Sequence, residues 1–252
     1  MARRTSRRRR RRGRYGFLYK LVSVLLVCAA VVAALTLFFK VNTIVVTGQS
    51  RYTREQILAA AQVETGDNMY LLNKNAVAQR IRNQCPYVEE VLINRKLPDT
   101  LLVEVWETAA AGAFVQEGDA WLVSARGKIL EKRSAAALGD CPVVDGCDLL
   151  APAVGSTISF GEEFAYQRQK LLDLWAALEE AGALEKAGAV HLGDPSVLTM
   201  EYDGRFTVRL GWEADFAYKI QNLETVIGRL EVNETGTIDL TMDGVASFDP
   251  QR

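Results

Sequence analysis

Leu21 to Phe39 is a run of nineteen residues without a charge, in which only Ser23 and Thr36 are polar. As a helix rising ~1.5 Å per residue it covers roughly 29 Å, close to the ~30 Å hydrocarbon thickness of a bilayer. One membrane crossing is expected. The first forty residues contain no acid and hold eleven of the thirty Lys and Arg. The remainder carries nineteen basic against thirty-one acidic residues, a formal net charge of −12, so the overall balance near zero hides two oppositely charged parts. Arg7, Arg8, Arg9, Arg10, Arg11, Arg12, Arg14 and Lys20 precede the span. Basic residues in that position resist translocation and hold the tail in the cytoplasm, where anionic lipid also attracts it. The expected topology is single-pass type II, with the bulk of the chain outside.

A cleaved signal peptide would have a shorter apolar region and a small-x-small cleavage site, whereas this run leads directly into Phe38, Phe39 and Lys40. Arg12 to Leu18 mimics a twin-arginine signal only faintly. Nucleic-acid binding by the arginine run is the other use of such clusters, with topology the default because no folded cytoplasmic domain stands behind it. Four cysteines make no disulfide framework. Cys28 is an apolar filler of the span. Cys141 and Cys147 either close a disulfide in an oxidising compartment or stay free, and Cys85 has no evident partner.

After the span, Val41 to Gly48 is β-branched and ends on a turn residue, so it reads as a strand. Thr53 and Gln56 form a capping box opening a helix, with Tyr52 and Ile57 at staple positions. A second helix begins near Lys74, carries Val77 and Ile81 on one face, and stops before Pro86. Val88 to Arg95 and Leu101 to Glu107 read as strands joined across Leu97-Pro98-Asp99. Leu101, Val103 and Val105 alternate with the outward Glu104 and Trp106. The order strand, helix, helix, strand, strand makes two helices on one face of a three-stranded sheet.

A second unit begins near Ala109. Ala113 to Gln116, Trp121 to Ser124 and Lys128 to Glu131 read as short strands, and residues 134–161 as irregular. Glu162 to Ala181 reads as a helix with Phe164, Leu171, Trp175 and Leu178 as its stripe, ending at Gly182. Asp203-Gly204 joins Val197 to Tyr202 and Arg205 to Leu210 as a two-residue hairpin. A helix over about Asp215 to Leu230 and a last strand, Thr237 to Met242, with Ile238, Leu240 and Met242 on one face, complete the reading.

Catalytic chemistry finds little footing. One histidine, His191, excludes His-pair metal sites, and its expected role is structural. There is no C-x-x-C, G-x-S-x-G or P-loop, and Ser156 has no recognisable base. No catalytic, cofactor-binding or metal-binding residue is assigned, and neither a small-molecule substrate nor nucleic acid is expected. A membrane-anchored extracytoplasmic enzyme of unrecognised type is the alternative.

The strand Ile44-Val45-Val46-Thr47-Gly48 behind a single span, Pro86-Tyr87-Val88 opening the hairpin, and Leu97-Pro98-Asp99-Thr100-Leu101 running into Val103-Glu104-Val105-Trp106-Glu107 together resemble the POTRA domain of the FtsQ/DivIB family of bacterial cell-division proteins. The second unit resembles that family's β domain, with Leu210, Lys219, Leu223 and the ending Ile238-Asp239-Leu240 at matching positions. The resemblance implies an α+β protein: a basic tail over 1–20, a span over 21–39, a POTRA domain (βααββ) over 40–108, and a mixed β domain with an antiparallel sheet over 109–249. A POTRA protein of the outer-membrane assembly kind would instead run on into a long alternating-strand barrel, a pattern not found after Glu107. The resemblance further implies a divisome scaffold at the septum. Its partners would be FtsB/DivIC-type and FtsL-type bitopic proteins and, through them, the septal peptidoglycan synthase. In that family a partner strand adds beside the last strand of the β domain, which maps here onto Ile238, Leu240, Met242 and Phe248.

Overall fold

The structure, a computed structural model, describes residues 15–251. The expectations for Arg7 to Arg12 and Arg14 fall outside these residues. Helix α1, Tyr15–Phe38, begins earlier than the expected span because the turn holding Lys20 contains no helix breaker. Among the described residues it is the one helix long and apolar enough to cross a membrane, and no protein covers its apolar segment Gly16–Leu35.

The chain then forms β1 (Thr43–Thr47), α2 (Arg54–Ala61), α3 (Lys74–Gln84), β2 (Val88–Lys96) and β3 (Thr100–Glu107), in the expected βααββ order. β1 lies parallel to β3 in register Thr43↔Thr100, and β2 pairs antiparallel with the other side of β3. Thr53 and Gln56 close the capping box on α2, and Asn73 caps α3. Ile44, Val46, Leu101, Val103 and Val105 meet Ile57, Val77 and Ile81 in one core, which the period-2 and period-4 patterns require. Gly48 has φ +86°, and a Cβ there would strike the carbonyl oxygen of Val105, so glycine alone fits the end of β1.

Glu107 closes this unit. Its carboxylate accepts from the amides of Ser50 (3.0 Å), Arg51 (2.6 Å) and Tyr52 (3.2 Å) and from the Ser50 hydroxyl (2.7 Å). Burial works to raise its pKa, and these donors outweigh burial and hold it below the usual 4.5.

The second unit is a nine-stranded sheet. It comprises β4 (Ala110–Gln116), β5 (Asp119–Ser124), β6 (Ile129–Ser134), β7 (Val143–Asp145), β8 (Ala187–His191), β9 (Leu198–Tyr202), β10 (Phe206–Leu210), β11 (Gly236–Asp239) and β12 (Ser247–Pro250). Their order across the sheet is β12-β11-β10-β9-β8-β7-β4-β5-β6. Helices α4 (Ala165–Glu180) and α5 (Phe216–Ile227) contribute Leu171, Leu174, Trp175, Leu178, Ile220 and Leu223 to one core with the sheet. The sheet is mixed where antiparallel pairing was expected: β4/β7, β7/β8 and β10/β11 are parallel. Two of these pairs arise from crossovers, since α4 lies between β7 and β8 in the chain and α5 between β10 and β11. Residues 134–161 are not wholly irregular, because their three-residue strand β7 stitches the two halves of the sheet together. His191 stands opposite Asp145 across β7/β8, with Nδ1 2.8 Å from the carboxylate. All four cysteines are free.

The two units meet at Glu131 on β6. It accepts from the Tyr87 hydroxyl (2.8 Å), pairs with Arg51 (3.2 Å) and is forked by Arg133 (2.8 and 3.0 Å), while the Arg51 guanidinium stacks 3.7 Å over the Tyr87 ring. Arg133 in first place, opposed by burial, holds the Glu131 carboxyl low; burial and the bond to Glu131 push Tyr87 up to about 12. Beside them, Lys128 Nζ donates to the carbonyl of Val88 (3.0 Å) and to that of Arg82 (3.4 Å) in the last turn of α3.

Glu107→Gln is expected to destabilise the protein by about 1–3 kcal/mol at pH 7 in urea unfolding, because three backbone donors and the Ser50 hydroxyl lose a charged acceptor. The depressed carboxyl contributes stability in full above pH 4.5, and this is lost as pH falls through the folded-state value. The gap between parent and variant therefore narrows on acidification below pH 4.5.

Candidate partner-binding edge

The sheet has two outer strands. Along the start of β6, backbone bonds from Ile129 to Ser156 (2.8 Å), from Gly155 to Ile129 (2.8 Å) and from Ile158 to Gly127 (2.7 Å) cover the edge. At the other end, β12 pairs with β11 on one side, and among the described residues no strand lies beyond it. The register is Gly236↔Pro250, Thr237↔Asp249, Ile238↔Phe248 and Asp239↔Ser247. Gln251 donates to the carbonyl of Thr235 at 2.8 Å, which fixes the alternation: Ser247, Asp249 and Gln251 direct their backbone groups at β11. The N–H and C=O of Phe248 and the C=O of Pro250 therefore point away from the sheet. A Cβ on Gly236 would strike the carbonyl oxygen of Asp249, so glycine there lets β12 lie flush.

The structure separates the four residues assigned to this surface from the sequence. Ile238 and Leu240 are fully buried in the core and offer no side chain to a partner. Met242 is 70 % exposed. Phe248 is half-buried, its ring edge-on to Phe206 at 6.1 Å. The expected last strand through Met242 is corrected on two counts: it ends at Asp239, and β12 covers it. The cause is local. The Asp239 carboxylate accepts from the Thr241 amide (2.9 Å) and hydroxyl (2.6 Å) and pairs with Arg209 across the ladder (2.9 Å), which bends the chain out of the strand. Burial tends to raise the Asp239 pKa, but the Thr241 donors and Arg209 hold it below the usual value.

Lys219 fixes the chain beyond this bend. It lies on α5, and its side chain is 2 % exposed. Its Nζ donates to the carbonyl of Met242 (2.6 Å) and pairs with the fully solvated Asp243 (3.1 Å). The resemblance marks this lysine in the sequence without giving it a role; its role here is to pin the β11–β12 loop, leaving Met242 and Val245 on the outside. On the neighbouring face of α5, Glu224 accepts from Lys186 (2.8 Å) and from the buried hydroxyl of Tyr202. Burial and then that bond raise the Tyr202 pKa well above its ordinary value.

Ser247, Asp249 and Pro250 carry no strand signal in the sequence, because four residues after an Asp-Gly turn make too short a pattern. Among the described residues, no group of three or more His, Cys, Asp or Glu is placed to hold a metal ion.

Known proteins share this architecture in sequence. Residues 39–108 match the family model described as POTRA domain, FtsQ-type, and residues 113–241 the one described as Cell division protein FtsQ/DivIB, C-terminal. Cell division protein DivIB of Clostridium botulinum (strain Hall) is 24% identical over 214 residues, covering 84% of this chain and 82% of that protein. Cell division protein FtsQ of Syntrophotalea carbinolica is 28% identical over 205 residues, covering 80% and 70%. Cell division protein FtsQ of Corynebacterium glutamicum is 35% identical over 98 residues, covering 39% and 43%. The matched segment ends at 241, so β12 lies beyond it.

Lys219→Met keeps the buried volume and removes the donor to Met242. It is expected to cost about 1–3 kcal/mol and to speed amide exchange across residues 241–248 relative to the rest of the sheet, read by hydrogen-exchange mass spectrometry.

Proposed function

The chain belongs to the FtsQ/DivIB family of cell division proteins, and on that premise we propose that it is a bitopic divisome scaffold whose β12 edge receives a strand from a small coiled-coil division protein. Helix α1 holds it in the cytoplasmic membrane. The arginine-rich tail keeps the N-terminus inside, and the two folded units stand outside, at the septum. The partners are of the FtsB/DivIC and FtsL types, and through them the scaffold regulates the septal peptidoglycan synthase.

The observation that carries this reading is the unpaired outer edge of β12. An added strand would satisfy the outward N–H and C=O of Phe248 and the C=O of Pro250. Such bonds contribute only about 0.5–1.5 kcal/mol each, so choice of partner falls to the side chains along the edge. Met242, Val245 and the exposed rim of Phe248 supply apolar contact, and Asp243 and Asp249 favour a basic partner. The same acids, the proline and the four-residue length discourage copies of this chain from pairing edge to edge. A scaffold of this kind needs no catalytic constellation.

Phe248→Lys is expected to abolish pulldown of the coiled-coil partner, and Met242→Lys to weaken it. Val232→Lys, at an 89 % exposed site outside β11 and β12, should leave it intact. Because Phe248 also packs on Phe206, a thermal melt of each variant separates lost binding from lost folding. Undiminished capture by both edge variants would rule out the edge. A fluorescent fusion of the full chain is expected to concentrate at midcell, and a uniform membrane signal would count against the septal role.

A further inference from the structure

The POTRA unit meets α1 through one short loop. Asn68 Nδ2 donates to the carbonyl of Leu35 at 3.2 Å, satisfying one of the acceptors that a helix leaves open in its last turn. Next to it, Lys40 bridges Asn68, the Met69 amide donates to Phe39 O (2.9 Å), and the Val41 amide donates to Asp67 O (2.9 Å). Phe39 packs edge-on against Tyr70 at 5.1 Å. These contacts fix Tyr70 and Leu71 at the level where the span ends, yet Tyr70 is 45 % and Leu71 77 % exposed, and Phe38 beside them is 77 % exposed. The helix is 24 residues long, ~36 Å at 1.5 Å per residue. The uncharged run Leu21 to Phe39 by itself matches the ~30 Å hydrocarbon layer, so the surplus length lies at the Lys20 end, and the last turn with the loop bonded to it sits at the outer boundary between hydrocarbon and headgroups.

We infer that Tyr70 and Leu71 form a membrane-contact surface, with Tyr70 at the headgroup boundary and Leu71 inserted into the lipid. Continuity with α1 identifies lipid as the occupant, since the same loop that caps the span presents the apolar pair. An amphipathic ring such as tyrosine is suited to that boundary. The charges around the pair agree. Arg95 stands 5.7 Å over the Tyr70 ring and donates to the Leu72 carbonyl at 3.0 Å. Lys40 is exposed beside the pair, as is Lys96 in the β2–β3 hairpin, which the register Thr43↔Thr100 sets at the same end of the sheet. Two nearby carboxylates are engaged within the protein, Asp67 with the Glu64 amide (3.0 Å), and Asp99 with Asn42 (3.3 Å) and Thr100 (3.2 Å), while that of Glu64 is exposed. With a span on one side and an inserted leucine on the other, the POTRA unit is held at two points and its tilt over the bilayer is restricted.

This inference rests on α1 being a retained anchor, and the test separates the two. The photocrosslinker p-benzoylphenylalanine is placed singly at Leu26, Tyr70, Leu71 or Val232 in the full chain, reconstituted in vesicles of phosphatidylcholine and phosphatidylglycerol, and adducts are read by mass spectrometry. Lipid adducts at Leu26, Tyr70 and Leu71, with yields at Leu71 comparable to Leu26 and none at Val232, are the expected result. Adducts at Leu26 with none at Tyr70 and Leu71, or with protein adducts there instead of lipid, overturn the membrane-contact surface and leave the anchor standing. No lipid adduct at Leu26 overturns the anchor itself, and the surface with it.

Discussion

A backbone N–H or C=O taken out of water must find a partner, and that requirement shapes this protein from the membrane to its last strand. Helix α1 meets it internally except at its two ends, and in its final turn Asn68 bonds the carbonyl of Leu35. Beyond the membrane, the second unit meets it by passing hydrogen bonds from strand to strand. The run breaks off at β12, where among the described residues no strand receives the backbone groups of Phe248 and Pro250. The proposed function uses what most folds conceal, an edge left open to a guest.

Joints between segments far apart in sequence are made by single charged side chains that collect several polar groups. Glu107 gathers the turn at 50–52, Glu131 joins the two units, Asp239 bends the chain out of β11, and Lys219 holds the loop beyond it. Glu107 and Asp239 stand at strand ends, where ladder bonding stops and the chain turns, while Glu131 and Lys219 reach from within β6 and α5 to segments outside their own element. For three of the four, the carboxyl pKa is held down although burial alone would raise it. The pinning of Met242 and the end of β11 at Asp239 place β12 in register, so the geometry of the open edge depends on residues that a partner need not touch.

Elements carried by a local pattern were legible in the residues. The capping box at Thr53 and Gln56, the Asp203-Gly204 hairpin and the alternation of Leu101, Val103 and Val105 all recur in the structure. The elements missed were β7, β8 and β12, three to five residues each. The partner edge was half legible. The family ending pointed to the corner of the sheet where β12 is the outer strand, but Ile238 and Leu240 proved to be core, because the alternation that marks a strand does not say which face is buried or what lies beside it.

The sequence by itself determined the apolar run, its basic flank and the βααββ order, since each is written in short-range spacing or in charge counts that do not depend on the fold, and the kinship came from the likeness of its motifs to a known family. Only the tertiary structure decided that Val143 to Asp145 would stitch the sheet, that Thr241 would end β11, and that β12 would be the strand left uncovered. Those outcomes depend on which segments meet across long stretches of chain. A strand of three or four residues is stabilised by its neighbours in the sheet and has almost no preference of its own.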